Sequence, residues 1–176
     1  MNQQVELLNK SKTQVITLKF AKEYLRVDHN YDDQLIEQMM DTAYDMAVNY
    51  MGIQLHESKW KMTIYGNFPS WLKLIYAPIS KIDHVKLFKH NGEIGYLSND
   101  KYYLDSKNEV LHIKNFYSVQ KAEIQYFTGF NAEKFPAAIK QGILEHLSKL
   151  YDFRGSDQAI PLAAKNLYQS YKRIKF

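Results

Sequence analysis

The sequence contains no cysteine. That excludes disulfides, thiolate catalysis and cysteine-ligated zinc, and it fits a reducing compartment. No glycine-rich loop of the phosphate-cradling kind is present. No Gly-x-Ser-x-Gly elbow is present either, so a nucleophilic hydrolase lacks its usual turn; Ser156 after Gly155 reads as a helix exit. No run approaches about 18 apolar residues, so nothing reads as membrane-spanning. Met1 to Lys12 is polar and lacks the apolar stretch of a signal peptide. The net charge of +4 is too small to imply nucleic acid by itself.

What remains is an ordinary globular composition, 45% hydrophobic and 24% charged over 176 residues. A chain of this length buries about two thirds of its unfolded surface and builds a core without metal or disulfide. Fourteen tyrosines stand out. Each joins an apolar ring to a polar tip, which suits strands and interfaces.

Residues 1–14 read as a flexible N-terminal arm and 15–176 as a single domain. Thr17 is a good N-cap, and Leu18, Ala21, Tyr24 and Leu25 follow at helical spacing. A second helix carries the stripe Leu35, Ile36, Met39, Met40, Ala43, Ala47 and Tyr50, closed by Gly52 at the C′ position. Helices are therefore expected over 17–52. From Ser58 the period falls to two: Trp60, Met62 and Ile64 alternate with Lys61 and Thr63. Further alternations at Leu72 to Tyr76, Ile82 to Leu87, Tyr102 to Leu104, Val110 to Ile113 and Ala122 to Phe127 give about six short strands over 58–130. Helical spacing returns over 136–176. Ile139, Ile143, Leu144, Leu147 and Leu150 form one stripe, ended by Gly155. A last helix from Pro161 carries Leu162, Leu167, Tyr171 and Ile174. The fold class is α+β: an antiparallel core of about four helices with an inserted antiparallel β subdomain.

The residues that carry chemistry elsewhere are dispersed here. His84, His90 and His112 lie in or beside the β region and read as solvated strand or turn histidines. Asp28, Asp32 and Asp33 miss the alternating acids of a calcium loop and read as helix caps. Asp41 and Asp45 sit opposite the apolar stripe, on a solvated face. Met39 and Met40 read as core, with an interface role as the alternative. No catalytic residue, cofactor or metal is expected.

The C-terminal segment is the most informative charged stretch. From Pro161 to Phe176 it holds Lys165, Lys172, Arg173 and Lys175, no acid, and interleaved Tyr168, Tyr171 and Phe176. Three readings stand: a closing amphipathic helix with solvated lysines, a docking segment, or a phosphate-binding segment. The candidate docking residues are Lys165, Tyr168, Tyr171, Lys172 and Arg173. A nucleic-acid-binding module using this basic, aromatic helix is the alternative function.

Several phrases, taken in order, resemble one family. Thr17-Leu-Lys-Phe-Ala-Lys-Glu-Tyr-Leu-Arg-Val-Asp28 resembles the opening of tailed-phage head–tail connector proteins, with the acid pair Asp32-Asp33 and the helix Leu35-Ile36-Glu37-Gln38-Met39-Met40 after it. Tyr50-Met51-Gly52, Tyr76-Ala77-Pro78-Ile79, Ile124 to Phe130, Phe135 to Gln141 and Tyr151-Asp152-Phe153-Arg154-Gly155 continue it. Val27 and Met51 depart mildly from the commoner isoleucine and threonine. The resemblance implies a structural virion protein at the head–tail junction, assembled in the host cytoplasm. It implies an adaptor ring, twelve-fold in the particle, between the portal protein and a tail-side connector or completion protein. DNA passes through the channel of such a ring without specific binding. No membrane partner and no catalytic residues are implied.

Overall fold

In the computed structural model, residues 2–11, 15–115, 117–154 and 157–173 are described. The chain divides into two compact units, Met1–Lys12 with Gln54–Phe130 and Thr13–Ile53 with Asn131–Phe176.

The first unit is all β. Its strands are β1 (Gln3–Lys10), β2 (Ser58–Tyr65), β3 (Trp71–Lys73), β4 (Ile79–Phe88), β5 (Ile94–Tyr96), β6 (Tyr102–Asp105), β7 (Val110–Ile113) and β8 (Lys121–Thr128). Five of them form an antiparallel sheet in the order β1-β2-β8-β4-β5, and three form a second sheet, β3-β7-β6. Alternation places Met62 and Ile64 of β2, Ala122, Ile124 and Tyr126 of β8, and Val85 and Leu87 of β4 on one face. These residues share a core with Leu72, Leu111 and Ile113 of the second sheet and with Phe68 and Val119. Tyr126 is wholly buried but keeps its polar tip satisfied: its hydroxyl donates to the Ile75 carbonyl at 2.8 Å. Burial pushes that hydroxyl's pKa far up.

The Thr128-Gly129-Phe130 phrase has a steric cause. Gly129 has φ +78°, and a Cβ there would run into the His56 carbonyl. Its N–H donates to Pro78 at 2.9 Å, and that of Phe130 to Leu55 at 3.1 Å, so only glycine lets the two backbones approach.

The second unit holds helices α1 (Leu18–Leu25), α2 (Asp33–Met51), α3 (Ala137–Asp152) and α4 (Leu162–Tyr168), the last followed by one 3-10 turn, Gln169–Tyr171. Thr17 caps α1 by accepting from the Phe20 N–H at 3.2 Å. Gly52 ends α2 in the left-handed conformation (φ 68°), its N–H donating to Val48. The predicted stripes are the core: Ile36, Met39, Met40, Ala43 and Ala47 of α2 and Ile139, Ile143, Leu144, Leu147 and Leu150 of α3 are buried.

The α+β class and the four helices match the sequence reading; several details do not. Within the expected arm over 1–14, Gln3–Lys10 instead form β1, paired antiparallel with β2 from Gln3↔Ile64 to Lys10↔Ser58. A single domain over 15–176 gives way to two units, because β1 completes a sheet whose other strands lie beyond residue 53. The strands number eight among the described residues, β1 and β5 being the additions. The last helix is seven residues long, and Leu162 is 73% exposed rather than part of its stripe. Asp32 precedes α2 but makes no capping hydrogen bond with its side chain. Gly155, Ile174 and Phe176, read as the α3 stop and as parts of the last helix, lie outside the described residues.

Candidate assembly surfaces

The phrases that carry the resemblance turn out to be joints. Lys22 of α1 donates to Asn30 and to Asp33 of α2, each at 2.6 Å. Tyr24 donates to Glu145 of α3 at 3.2 Å, and Gln141 donates to both. Asp32 accepts from the Tyr151 hydroxyl at 2.6 Å, and Arg154 lies 3.9 Å from the same carboxylate. Accepting that bond is the main reason the carboxylate raises the Tyr151 pKa. The acid pair and the Tyr-x-x-Arg phrase therefore meet, and they fasten the exit of α3 to the entry of α2. These contacts hold helices together, and the Lys22–Asp33 pair also lines an open pocket of about 310 Å³ with Leu18, Lys19, Glu23 and Val27.

The C-terminal segment behaves the same way. Tyr168, expected as an exposed docking anchor, has 0% exposure. Its ring covers Gly142 of α3, where a Cβ would come within 2.8 Å of the ring's Cζ. The Tyr50 ring lies 6.1 Å away, tilted by 48°. Lys172 sits over the Tyr50 ring at 4.5 Å, and the Arg173 N–H donates to the Met51 carbonyl at 2.8 Å. Tyr168 is thus corrected to a core residue. The reason is spacing: with Ala164 it forms the buried side of α4, and Gly142 leaves room for its ring. Tyr168 and Tyr171 do not share an exposed helix face, since the α-helix ends at Tyr168. Lys165, Tyr171 and Arg173 are half-buried and Lys172 is exposed. Among its described residues this segment does not form a basic helix studded with free aromatics, since Tyr168 is buried and Tyr171 half-buried.

The helical unit exposes Tyr31, Phe153 and Phe20 singly, whereas the β unit gathers exposed rings into a row. Trp71 of β3, His112 of β7 and Tyr103 of β6 are register partners in one cross-strand row. Trp71 is 61% and Tyr103 55% exposed, and the Tyr103 and His112 rings stack at 4.6 Å with 8° between planes. His84 is in the other sheet, held by Asp83 at 3.0 Å, and His90 is exposed in a turn. Among the described residues no group of three or more His, Asp or Glu is placed to hold a metal ion.

The outer face of the five-stranded sheet alternates cations with rings. Lys59 and Lys81 flank Phe127, with Lys81 at 4.4 Å, and Lys86 and Lys121 flank Phe88, with Lys121 at 4.0 Å. Carboxylates neutralise much of this charge: Lys59–Asp83 at 2.9 Å, Lys61–Glu6 at 2.7 Å and Lys121–Glu123 at 2.8 Å. Of these surfaces, sequence reasoning missed the aromatic row. Its signal was there, since Trp71, Tyr103 and His112 each hold the outward position of a short alternation; the register that joins them was not legible.

No family profile matches the sequence, and no curated protein does. Solved structures do match. A chain in the structure described as the neck of an empty GTA particle computed with C6 symmetry aligns with TM-score 0.72 and 13% identity, covering 98% of this chain and 97% of that one. A chain from the virion of a native gene transfer agent (GTA) particle gives 0.70 and 13%, with 98% and 96% covered. One from the neck of a native GTA particle computed with C12 symmetry gives 0.60 and 12%, with 96% and 97% covered. Over nearly its whole length, this chain has the fold of chains found in gene transfer agent particles and their necks, consistent with the connector resemblance of its motifs.

Proposed function

We propose that this chain is a non-enzymatic structural protein of a tailed-phage-type particle, an adaptor subunit in a ring between portal and tail. The observation that carries the reading is the end-to-end fold match to a chain in a particle neck, with both chains almost fully covered. The β unit interrupts the helices at the point where the connector motifs place it. Lys22, Tyr24, Asp32 and Tyr151, which belong to the resembling phrases, serve helix joints, which supports a structural role for them.

In this reading the ring extends the DNA channel and offers a platform to tail-side proteins. Neck structures with this fold were computed with six- and twelve-fold symmetry, which supports a ring of this chain, twelve-fold in the particle. Subunits then meet head-to-tail and the contact closes on itself. Of the docking candidates, Lys165, Tyr171, Lys172 and Arg173 keep some surface, and they are proposed to touch the neighbouring ring. The test is direct. Particles purified from cells that make them are probed for this chain, and the chain is removed by deleting its gene. The reading expects DNA-filled heads without tails when the chain is missing; normal tailed particles would refute it.

A further inference from the structure

The five-stranded sheet ends in two unlike edges, β1 and β5. β1 is unusual for a strand of eight residues: only Val5 is even half-buried, and Leu7 and Leu8 are exposed. Its hydrogen bonds go one way. The Tyr65 N–H donates to Asn2, so pairing alternation aims the backbone groups of Gln3, Val5 and Leu7 at the open side. A row of unmet N–H and C=O groups is complementary to one thing, another extended backbone. At the far end β5 exposes Ile94 and, at 67%, Tyr96. The two edges also share a row: Gln4, Thr63, Glu123, Lys86 and Tyr96 follow one another across the sheet. Four antiparallel steps make β1 and β5 point the same way, so a copied sheet set beside the first continues it without reversal.

We propose that β1 of one subunit lies along β5 of a second copy, so that this sheet runs head-to-tail around the ring. The inference rests on the ring reading above. Charge does not carry it, since Glu6 at the β1 edge is already paired with Lys61 of its own copy at 2.7 Å; the open backbone groups do. The ladder is short, limited by the three residues of β5, and parallel, the weaker geometry. It therefore holds subunits in a ring that a portal templates, and it does not hold them in dilute solution.

The chain's lack of cysteine makes the test clean. Gln4→Cys and Tyr96→Cys, both at exposed positions, are combined in the full-length protein, and purified particles are treated with a short bis-maleimide. The expected result is a ladder of dimer, trimer and higher multimers from the double variant, and monomer from each single variant. Dimer from Gln4→Cys alone would mean that β1 pairs with itself, and it overturns the proposal. Monomer from the double variant in particles that contain the protein also overturns it, while leaving the neck reading intact. Absence of the wild-type chain from particles defeats the neck reading and this contact with it.

Discussion

Tyr168 and Gly142 are one feature seen from two helices. A methyl group at Gly142 would press on a ring that is closed in on all sides, so Gly142→Ala should destabilise as overpacking does, by about 1–3 kcal/mol. Tyr168→Ala should cost about 3–5 kcal/mol as a cavity, whereas Tyr168→Phe should be neutral or stabilising, because the hydroxyl is buried without a hydrogen bond. Denaturant melts of the three variants check this. His146 offers a test by pH. It is fully buried; its Nε2 meets the Gln158 carbonyl at 3.1 Å, and its Nδ1 has no partner. Burial holds its pKa below the ordinary 6.5, against the pull of that carbonyl. The unfolded chain then takes up the proton at higher pH than the folded one, so stability should fall as pH drops below about 6.5. Melting temperatures from pH 8 down to 5 should show the fall, and His146→Gln should flatten it. Sequence patterns gave the apolar core and the Thr17 and Gly52 caps, since caps and stripes are local. They did not give Tyr168, whose place depends on a gap left by a glycine 26 residues earlier, between Gly142 and Tyr168.

At the level of elements, β1 was hidden by its own bulge. The register slips between Leu7 and Asn9, so Leu8 is an extra residue and the alternation Val5, Leu7 breaks into a doublet. β5 was hidden by its length of three residues with Gly95 at its centre. Long alternations such as β8, buried at every second residue, needed no structure to be seen. The last helix was legible as a helix and illegible as core, because a thin stripe does not say what it meets. Its role reverses one expectation. Deleting Lys165 to Phe176 removes Tyr168 and the Arg173 tie to α2, so it should collapse the melting transition of the helical unit rather than spare it. Calorimetry of the truncated protein checks this; an intact transition would return the segment to a free docking role. Loss of the joint between α1 and α2 is a milder test: Lys22→Ala removes two hydrogen bonds from a charged donor and should cost about 2 kcal/mol.

For the molecule as a whole, the order of helices, inserted strands and helices was readable, because the hydrophobic period changes from 3.6 to 2 and back. A ring was implied by the resemblance, but the proposed edge contact was not readable, since no period marks a sheet edge. The purified chain should sediment as a monomer at micromolar concentration, because a short parallel ladder is a weak contact without a template; a stable ring in dilute solution would remove the need for one. The most direct measurement is electron microscopy of intact particles, with this chain traced through the density of the neck. The account predicts a closed ring of its copies between head and tail, with β1 of each against β5 of the next. A neck built entirely of other chains would contradict it.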